Sequence, residues 1–396
     1  MMIPERPALE RRVLSTLDGP GGQTRIPVVL GGCGSGRTSL LLRLNGLIGR
    51  ATSQYLDIER IATTPERCLA SIREASPFHA HPYGAGGPEA PGPREAFDAT
   101  LALLDTARAP GDAPATFLLD EFLEFRTFES FPGLRAVLRD LLAALSSSGN
   151  RFVLTTRYTA RALRLLRDAP PRFEVVHVGP LTAAEIRATL PATADHKGGG
   201  AFREEEEDRA RDDLAVLLQA LSDGRPQYAH LIADTAATSA ARAAADPVSA
   251  LSALLAPGGE LAAACRFCYE LRLHRARGYG ALKAILDVLA REEPLTLTEI
   301  ALRLRRTPGS TKDYLSWLED VDLIVSHQKR YSFADPMMRL WLRVHGRPAP
   351  PTDDDIAREV HAYVMARLPQ SEPALALAGA PAEDSRARNW GIIEID

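Results

Sequence analysis

Residues 31–38 read Gly31-Gly32-Cys33-Gly34-Ser35-Gly36-Arg37-Thr38, between an apolar run, Ile26 to Leu30, and a helical pattern, Ser39 to Leu47. Strand, glycine-rich turn and helix in that order form an anion cradle. The backbone N–H groups of such a turn converge on phosphate oxygens, and the helix N-terminus adds partial positive charge. Gly31, Gly34, Ser35, Gly36, Arg37, Thr38 and Ser39 are therefore the candidate phosphate-binding residues, and the Thr38 hydroxyl is a candidate ligand for Mg²⁺. The octapeptide fits GxxxxGKT with one change, because Arg37 stands where the pattern has lysine. A planar guanidinium still attracts phosphate but aims its donors differently from an ammonium, so catalytic geometry is in question where attraction is not.

The second half of this constellation is Ala115-Thr116-Phe117-Leu118-Leu119-Asp120-Glu121. An apolar strand delivers Asp120 to its C-terminal end, where a carboxylate can help Thr38 hold the metal, and Glu121 can polarise an attacking water. Further strand-like runs, at Gln54 to Ile58, Arg151 to Thr156 and Glu174 to Val178, alternate with helical patterns. Strands that are nearly all apolar, separated by helices, predict an α/β fold with a parallel sheet covered on both faces. Asp57 and Glu59 end the second strand at the same rim of the sheet, where ligands of open α/β folds collect, but their spacing assigns no role.

Working outward, 396 residues exceed one compact core, and 45% hydrophobic with 25% charged residues excludes wholesale disorder. The formal net charge is −4, so no global field draws the molecule onto nucleic acid or anionic lipid. Only four of the 47 basic residues are lysine (Lys197, Lys283, Lys312 and Lys329), which suggests a coding bias towards arginine. Four scattered cysteines, no apolar leader and no run of about 18 apolar residues lead to the expectation of a cytoplasmic, reduced protein without a membrane span.

After Leu181 the β signal ends. The glycine- and proline-rich stretch His81 to Arg94 is expected to be a surface loop, and the acidic run Glu204 to Asp208 a solvated helix end. Helical patterns at Ala281 to Ala290, Thr298 to Arg305 and Ser310 to Val321, followed by a hairpin over Leu323 to Phe333, suggest an α+β winged helix. Such a module can place Ser310, Thr311 and Lys312 on DNA with Lys329 and Arg330 on the wing. Eight basic against six acidic residues from Leu297 to His345 make only a weak phosphate field, so a protein-contacting role stands beside the DNA reading. Beyond Gly346, one amphipathic helix carrying Ile356, Val360, Tyr363 and Val364 precedes an Ala/Pro-rich tail. The expected division is 1–185 for the nucleotide-binding domain, 186–260 for a helical lid, 261–345 for the winged helix and 346–396 for the last helix and tail.

These residues together resemble the AAA+ and STAND branch of P-loop ATPases, especially archaeal-type ATPases that carry a C-terminal winged helix, over roughly Arg11 to Arg343. The strand Phe152-Val153-Leu154-Thr155-Thr156-Arg157 resembles that group's sensor strand, which implies that Arg157 reports the γ-phosphate. Gly224-Arg225-Pro226 resembles its lid motif, which implies that Pro226 borders the nucleotide. Tyr331-Ser332-Phe333-Ala334-Asp335-Pro336 is similar to the segment after the winged helix in archaeal relatives. The resemblance implies ATP and Mg²⁺ as cofactors, Arg37, Glu121 and Arg157 as catalytic residues, and a nucleotide-driven conformational switch with a protein partner or a homo-oligomer. Two alternatives stay open: a nucleotide-binding module that Arg37 has deprived of turnover, and a DNA-binding regulator.

Other motifs are weaker. Cys265-Arg266-Phe267-Cys268 has no second ligand pair at zinc spacing and is expected to be packing. Cys33, at the variable position of the phosphate loop beside a helix N-terminus, is a candidate oxidation-sensitive thiol. Arg126, Arg135 and Arg139 could serve a neighbouring subunit, but arginine is too common in this chain to single them out.

Overall fold

The computed structural model describes residues 5–19, 24–78, 92–190, 201–240, 246–274 and 278–368. Five parallel strands form its central sheet: β1 (Ile26–Leu30), β2 (Ser53–Asp57), β3 (Thr116–Asp120), β4 (Arg151–Thr156) and β5 (Phe173–His177). All five lie within one residue of the runs read from the sequence. Their spatial order is β2-β3-β4-β1-β5, so β4 separates the glycine-loop strand from the acid strand. Period-two alternation divides the apolar residues between the two faces. Val29, Leu118, Val153 and Val176 meet Val13, Leu17, Leu41 and Leu44 on one side. On the other, Phe117 and Phe152 stack at 5.7 Å between ring centroids, with Phe78 edge-on to Phe117 at 5.1 Å.

The helix after the glycine loop spans Arg37–Ile48, beginning two residues before the expected Ser39. Gly36, at φ 87°, turns the chain into it, a backbone conformation that a side chain would strain. Most of the glycine- and proline-rich stretch lies outside the described residues. Its last two residues, Pro93 and Arg94, open the helix Pro93–Thr106 instead of extending the loop, since proline is preorganised for a first helical turn. The acidic run belongs to the helix Ala201–Ser222, whose Glu205 to Asp208 are exposed, as a solvated segment requires.

Downstream, helices Tyr279–Arg291, Leu297–Arg303 and Pro308–Asp320 precede the antiparallel strands β7 (Ile324–His327) and β8 (Arg330–Phe333). Gln328 and Lys329, both at positive φ, make the tight turn between them. A two-residue strand β6 (Leu295–Thr296) adds to β8, and was too short to leave a periodic signal in the sequence. The helices Pro336–His345 and Asp353–Met365 follow. Arg343 and Arg347 join them through Glu359 at 2.7 and 2.9 Å, and the Tyr363 hydroxyl donates to the Leu221 carbonyl at 2.9 Å. No single helix among the described residues is long and apolar enough to cross a membrane.

The C-terminal unit docks on the sheet domain through the end of Pro308–Asp320. Asp320 pairs with Arg164, and Asp322 accepts from the Ala160 N–H at 3.2 Å. Burial pushes the Asp322 carboxyl up to about 6. The folded protein therefore binds this proton more tightly than the unfolded chain, so the stability linked to it is full below about pH 4 and lost as pH rises through about 6. Asp322→Asn should remove that loss, leaving a flatter stability profile between pH 4 and 7 and a gain on the order of 2 kcal/mol at neutral pH. Urea unfolding at several pH values measures it, and a variant with the wild-type slope would contradict it.

Candidate functional site

The tips of β1, β3 and β4 converge below the glycine loop. Thr38, in the first turn of the loop helix, donates its hydroxyl to Asp120 Oδ2 at 2.7 Å, across 82 residues of sequence. The Tyr55 hydroxyl donates to the same oxygen at 3.0 Å, and Thr155 donates to Asp120 Oδ1. The buried Asp120 is thus aimed at the start of the loop helix. A hydroxyl and a carboxylate in contact, both hard oxygen donors, suit Mg²⁺.

Glu121 is buried with φ 55°, left-handed backbone that costs a non-glycine residue roughly 1–3 kcal/mol. The conformation directs its carboxylate back under the loop. There it pairs with Arg37 at 2.6 Å and Arg157 Nε at 3.1 Å, and accepts from the Arg157 N–H at 3.0 Å. Burial pushes the Glu121 carboxyl up, but Arg37 and Arg157 outweigh it and hold the group below the usual carboxylate range. Arg157 also pairs with Glu59, which gives that acid a place the sequence could not assign. Asp57, its neighbour, caps the short helix Ile58–Ile61 by accepting from the Arg60 N–H at 3.2 Å.

Arg37 folds inward. Its Nη1 donates to the Gly31 carbonyl, to the Gly32 carbonyl at 2.6 Å and to Ser35 Oγ at 3.3 Å. The guanidinium is thereby spread between the loop's own carbonyls and Glu121. Ser35, Gly36 and Ser39 line the outer side of the loop, where Pro226 sits 3.5 Å from the position a Gly36 Cβ would take, and a Cβ on Gly34 would meet Gln227 at 3.0 Å. The loop residues, Thr38, Asp120, Glu121 and Arg157 therefore form one cluster, with Pro226 at its rim.

Sequence reasoning missed what covers this cluster. Gly224, at φ 64°, packs against Leu181, whose backbone a Cβ would meet at 2.6 Å. Only glycine fits this approach, and it sets the following Arg225 over the loop. Arg225 donates to the Cys33 carbonyl at 2.8 Å and the Ala334 carbonyl at 3.0 Å, and pairs with Asp335 at 3.4 Å. The buried Asp335 also accepts from Tyr228 at 2.8 Å and caps the helix Pro336–His345. Arg272, from the helix Glu260–Leu273, donates to Cys33 Sγ at 3.1 Å. The remaining cavity between the loop, Pro180 and Arg225 holds about 150 Å³, below the roughly 300–1,000 Å³ typical of ligand pockets. A larger recess of about 830 Å³, lined by Tyr269, Lys283, Trp341 and His345, contains none of these residues.

Asp335→Asn should break the Arg225 latch, since the single amide oxygen can keep the helix cap while the NH2 group turns towards Arg225 and Tyr228. We expect the variant to lose on the order of 2 kcal/mol of stability, because Arg225 is left without its buried charge partner. Urea unfolding of the variant measures it, and wild-type stability would remove the latch from the account.

No family model and no curated protein matches the chain. Among solved structures, a Walker-type ATPase of Pyrococcus abyssi superposes with a TM-score of 0.60 at 17% identity, over 86% of this chain and 96% of its own. The RuvB Holliday junction branch migration motor of Thermotoga maritima aligns with a TM-score of 0.40 at 12% identity, over 83% and 92% of the two chains. A STAND protein with a tetratricopeptide repeat sensor from Pyrococcus horikoshii gives 0.30 at 16%, over 90% of this chain and 44% of that one. These last two scores are too low to add to the assignment. Near-complete mutual coverage with the Pyrococcus abyssi structure, at an identity that carries architecture and nothing finer, gives this chain the fold of that Walker-type ATPase.

Proposed function

We propose that the protein is an ATP-binding conformational switch whose 1–185 domain holds magnesium nucleotide, whose 186–260 segment is a lid, and whose 261–345 segment is a winged helix that moves with it. The observation that carries this reading is the 2.7 Å contact between Thr38 and Asp120, because it joins the two halves of the motif at one point. Magnesium bound with a triphosphate supplies charge neutralisation on phosphate oxygens. Thr38 and Asp120 would hold the metal, the loop from Gly31 to Ser39 would bind phosphate through its N–H groups, and Pro226 would border the nucleotide. Arg37 would leave the loop carbonyls to meet phosphate. Glu121, freed from Arg37, would accept a proton from water, and Arg157 would turn towards the phosphate end of the site. Because Arg225 and Arg272 tie the loop to the C-terminal units, rearrangement of the loop would be felt there. A cytoplasmic setting and a protein partner or second copy fit a switch of this kind.

The decisive experiment measures magnesium-ATP binding and phosphate release together in wild type, Arg37→Lys, Arg37→Ala and Thr38→Ala. We expect Thr38→Ala and Arg37→Ala each to lose about tenfold in affinity, the effect of one charge-assisted contact or metal ligand. Unchanged affinity in all variants would refute the site. A second reading, binding without turnover, is favoured by the 2.6 Å ion pair between Arg37 and Glu121, which occupies the base with the residue that replaces lysine. It requires Arg37→Lys to bind as wild type does and to release phosphate faster.

DNA binding draws less support. Thr311, read as DNA-facing, is buried and donates to the Thr307 carbonyl at 3.0 Å, and Arg330 is engaged by Pro294 and Glu299. Asp320 and Asp322 at the end of the same helix face the sheet domain. We therefore favour a winged helix that contacts protein.

A further inference from the structure

Two cysteines distant in sequence meet at the phosphate loop. Cys33 and Cys268 lie beside one another, and each is partly exposed. Arg272, four residues beyond Cys268 and so on the same face of its helix, donates to Cys33 Sγ at 3.1 Å. Its other terminal nitrogen is fixed on the Asp322 carbonyl at 2.6 Å, so the cation cannot easily withdraw. The neighbouring Cys268 thiol, followed by Arg272, Arg157 and Arg37, holds the Cys33 thiol well below its usual range despite burial. The other two thiols contrast with it. Burial pushes Cys68 up to about 12, and Cys265 is buried and likewise raised. A thiolate stabilised by cations, partly exposed and next to a second thiol, is the environment in which a cysteine reacts and is then resolved.

We propose that Cys33 and Cys268 form a regulatory dithiol, oxidised by hydrogen peroxide to a disulfide that locks the phosphate loop to the helix Glu260–Leu273. The Cys33 thiolate attacks one peroxide oxygen, the O–O bond breaks, and hydroxide leaves to be protonated to water. The resulting sulfenic acid is attacked by the Cys268 sulfur; the S–S bond forms, the S–O bond breaks and a second water leaves. Two thiols and one peroxide thus give one disulfide and two waters. The consequence for affinity rests on the nucleotide reading above, since the lock would hold the loop in its covered arrangement.

The test uses the full chain, reduced and then treated with hydrogen peroxide. Trypsin without reductant should yield the peptide Ile26–Arg37 linked to Phe267–Arg272, lighter by two hydrogens than the sum of the free peptides; cleavage after Arg266 separates Cys265 from this pair. Magnesium-ATP affinity, measured by calorimetry, should fall at least about tenfold on oxidation and recover with dithiothreitol. Cys268→Ser should keep its reduced-state affinity, form no link and leave a dimedone-reactive sulfenic acid on Cys33. A link through Cys265, equal oxidation of Cys68, or no link overturns the dithiol. A link with unchanged affinity overturns its regulatory role. If the reduced protein binds no ATP, the nucleotide reading fails, while the peptide link still decides the dithiol by itself.

Discussion

Asp120→Asn should reduce magnesium-dependent phosphate release from ATP at least about 1,000-fold, the largest effect we expect from any single exchange, as on the proposed function it removes a metal ligand and a buried charge together. In the wild type this carboxylate accepts from Thr38, Tyr55 and Thr155. Asparagine has one acceptor oxygen for these three hydroxyls and presents an amide to whichever remain, so the Thr38 hydroxyl would lose its aim. Tyr55, raised by burial and by Asp120, keeps its proton in both proteins and supplies no replacement charge. Phosphate release at several magnesium concentrations, with thermal unfolding as a control for folding, reads the result. Turnover within threefold of wild type in a folded variant would remove Asp120 from the site.

Glu121→Gln is expected to lower turnover about 100-fold or more with ATP affinity changed less than threefold, because a carboxamide fills the same space but cannot accept a proton from water. The ion-pair cluster makes this exchange a structural test as well. Glu121 neutralises Arg37 and Arg157 in a buried setting, and loss of one partner from a buried pair leaves charge uncompensated. The variant should therefore unfold at a lower temperature than wild type, and nucleotide should restore part of the difference if Arg37 then meets phosphate. Equal phosphate release by the variant and wild type, with affinity intact, would select binding without turnover.

Much of the site was legible because its residues are contiguous or close to strand ends. The octapeptide at Gly31 to Thr38 specifies its own turn, and the apolar run before Asp120 specifies the strand that carries it. The contact between them follows once both strands enter one parallel sheet. The role of Glu59 was hidden because its partner Arg157 comes from a strand 98 residues away, and no local pattern encodes that meeting. Arg225 lay within a motif recognised for its glycine and proline, yet its hold on the loop depends on where Asp335 comes to rest. Cys268 was read as packing because its CxxC spacing lacks metal partners. Its contact with Cys33 is a product of docking between units.

From the sequence alone came the five strands, the helices between and after them, and the polar residues placed at the strand tips, since periodicity, glycine and short spacing are local properties that act before the chain is compact. Folding in three dimensions decided that Arg37 lies against Glu121, that Arg225 and Arg272 close over the loop, and that two thiols distant in sequence come together. These depend on which surfaces pack together: ion pairs and thiol contacts act over a few ångströms, and only the packed chain brings residues hundreds of positions apart within that range.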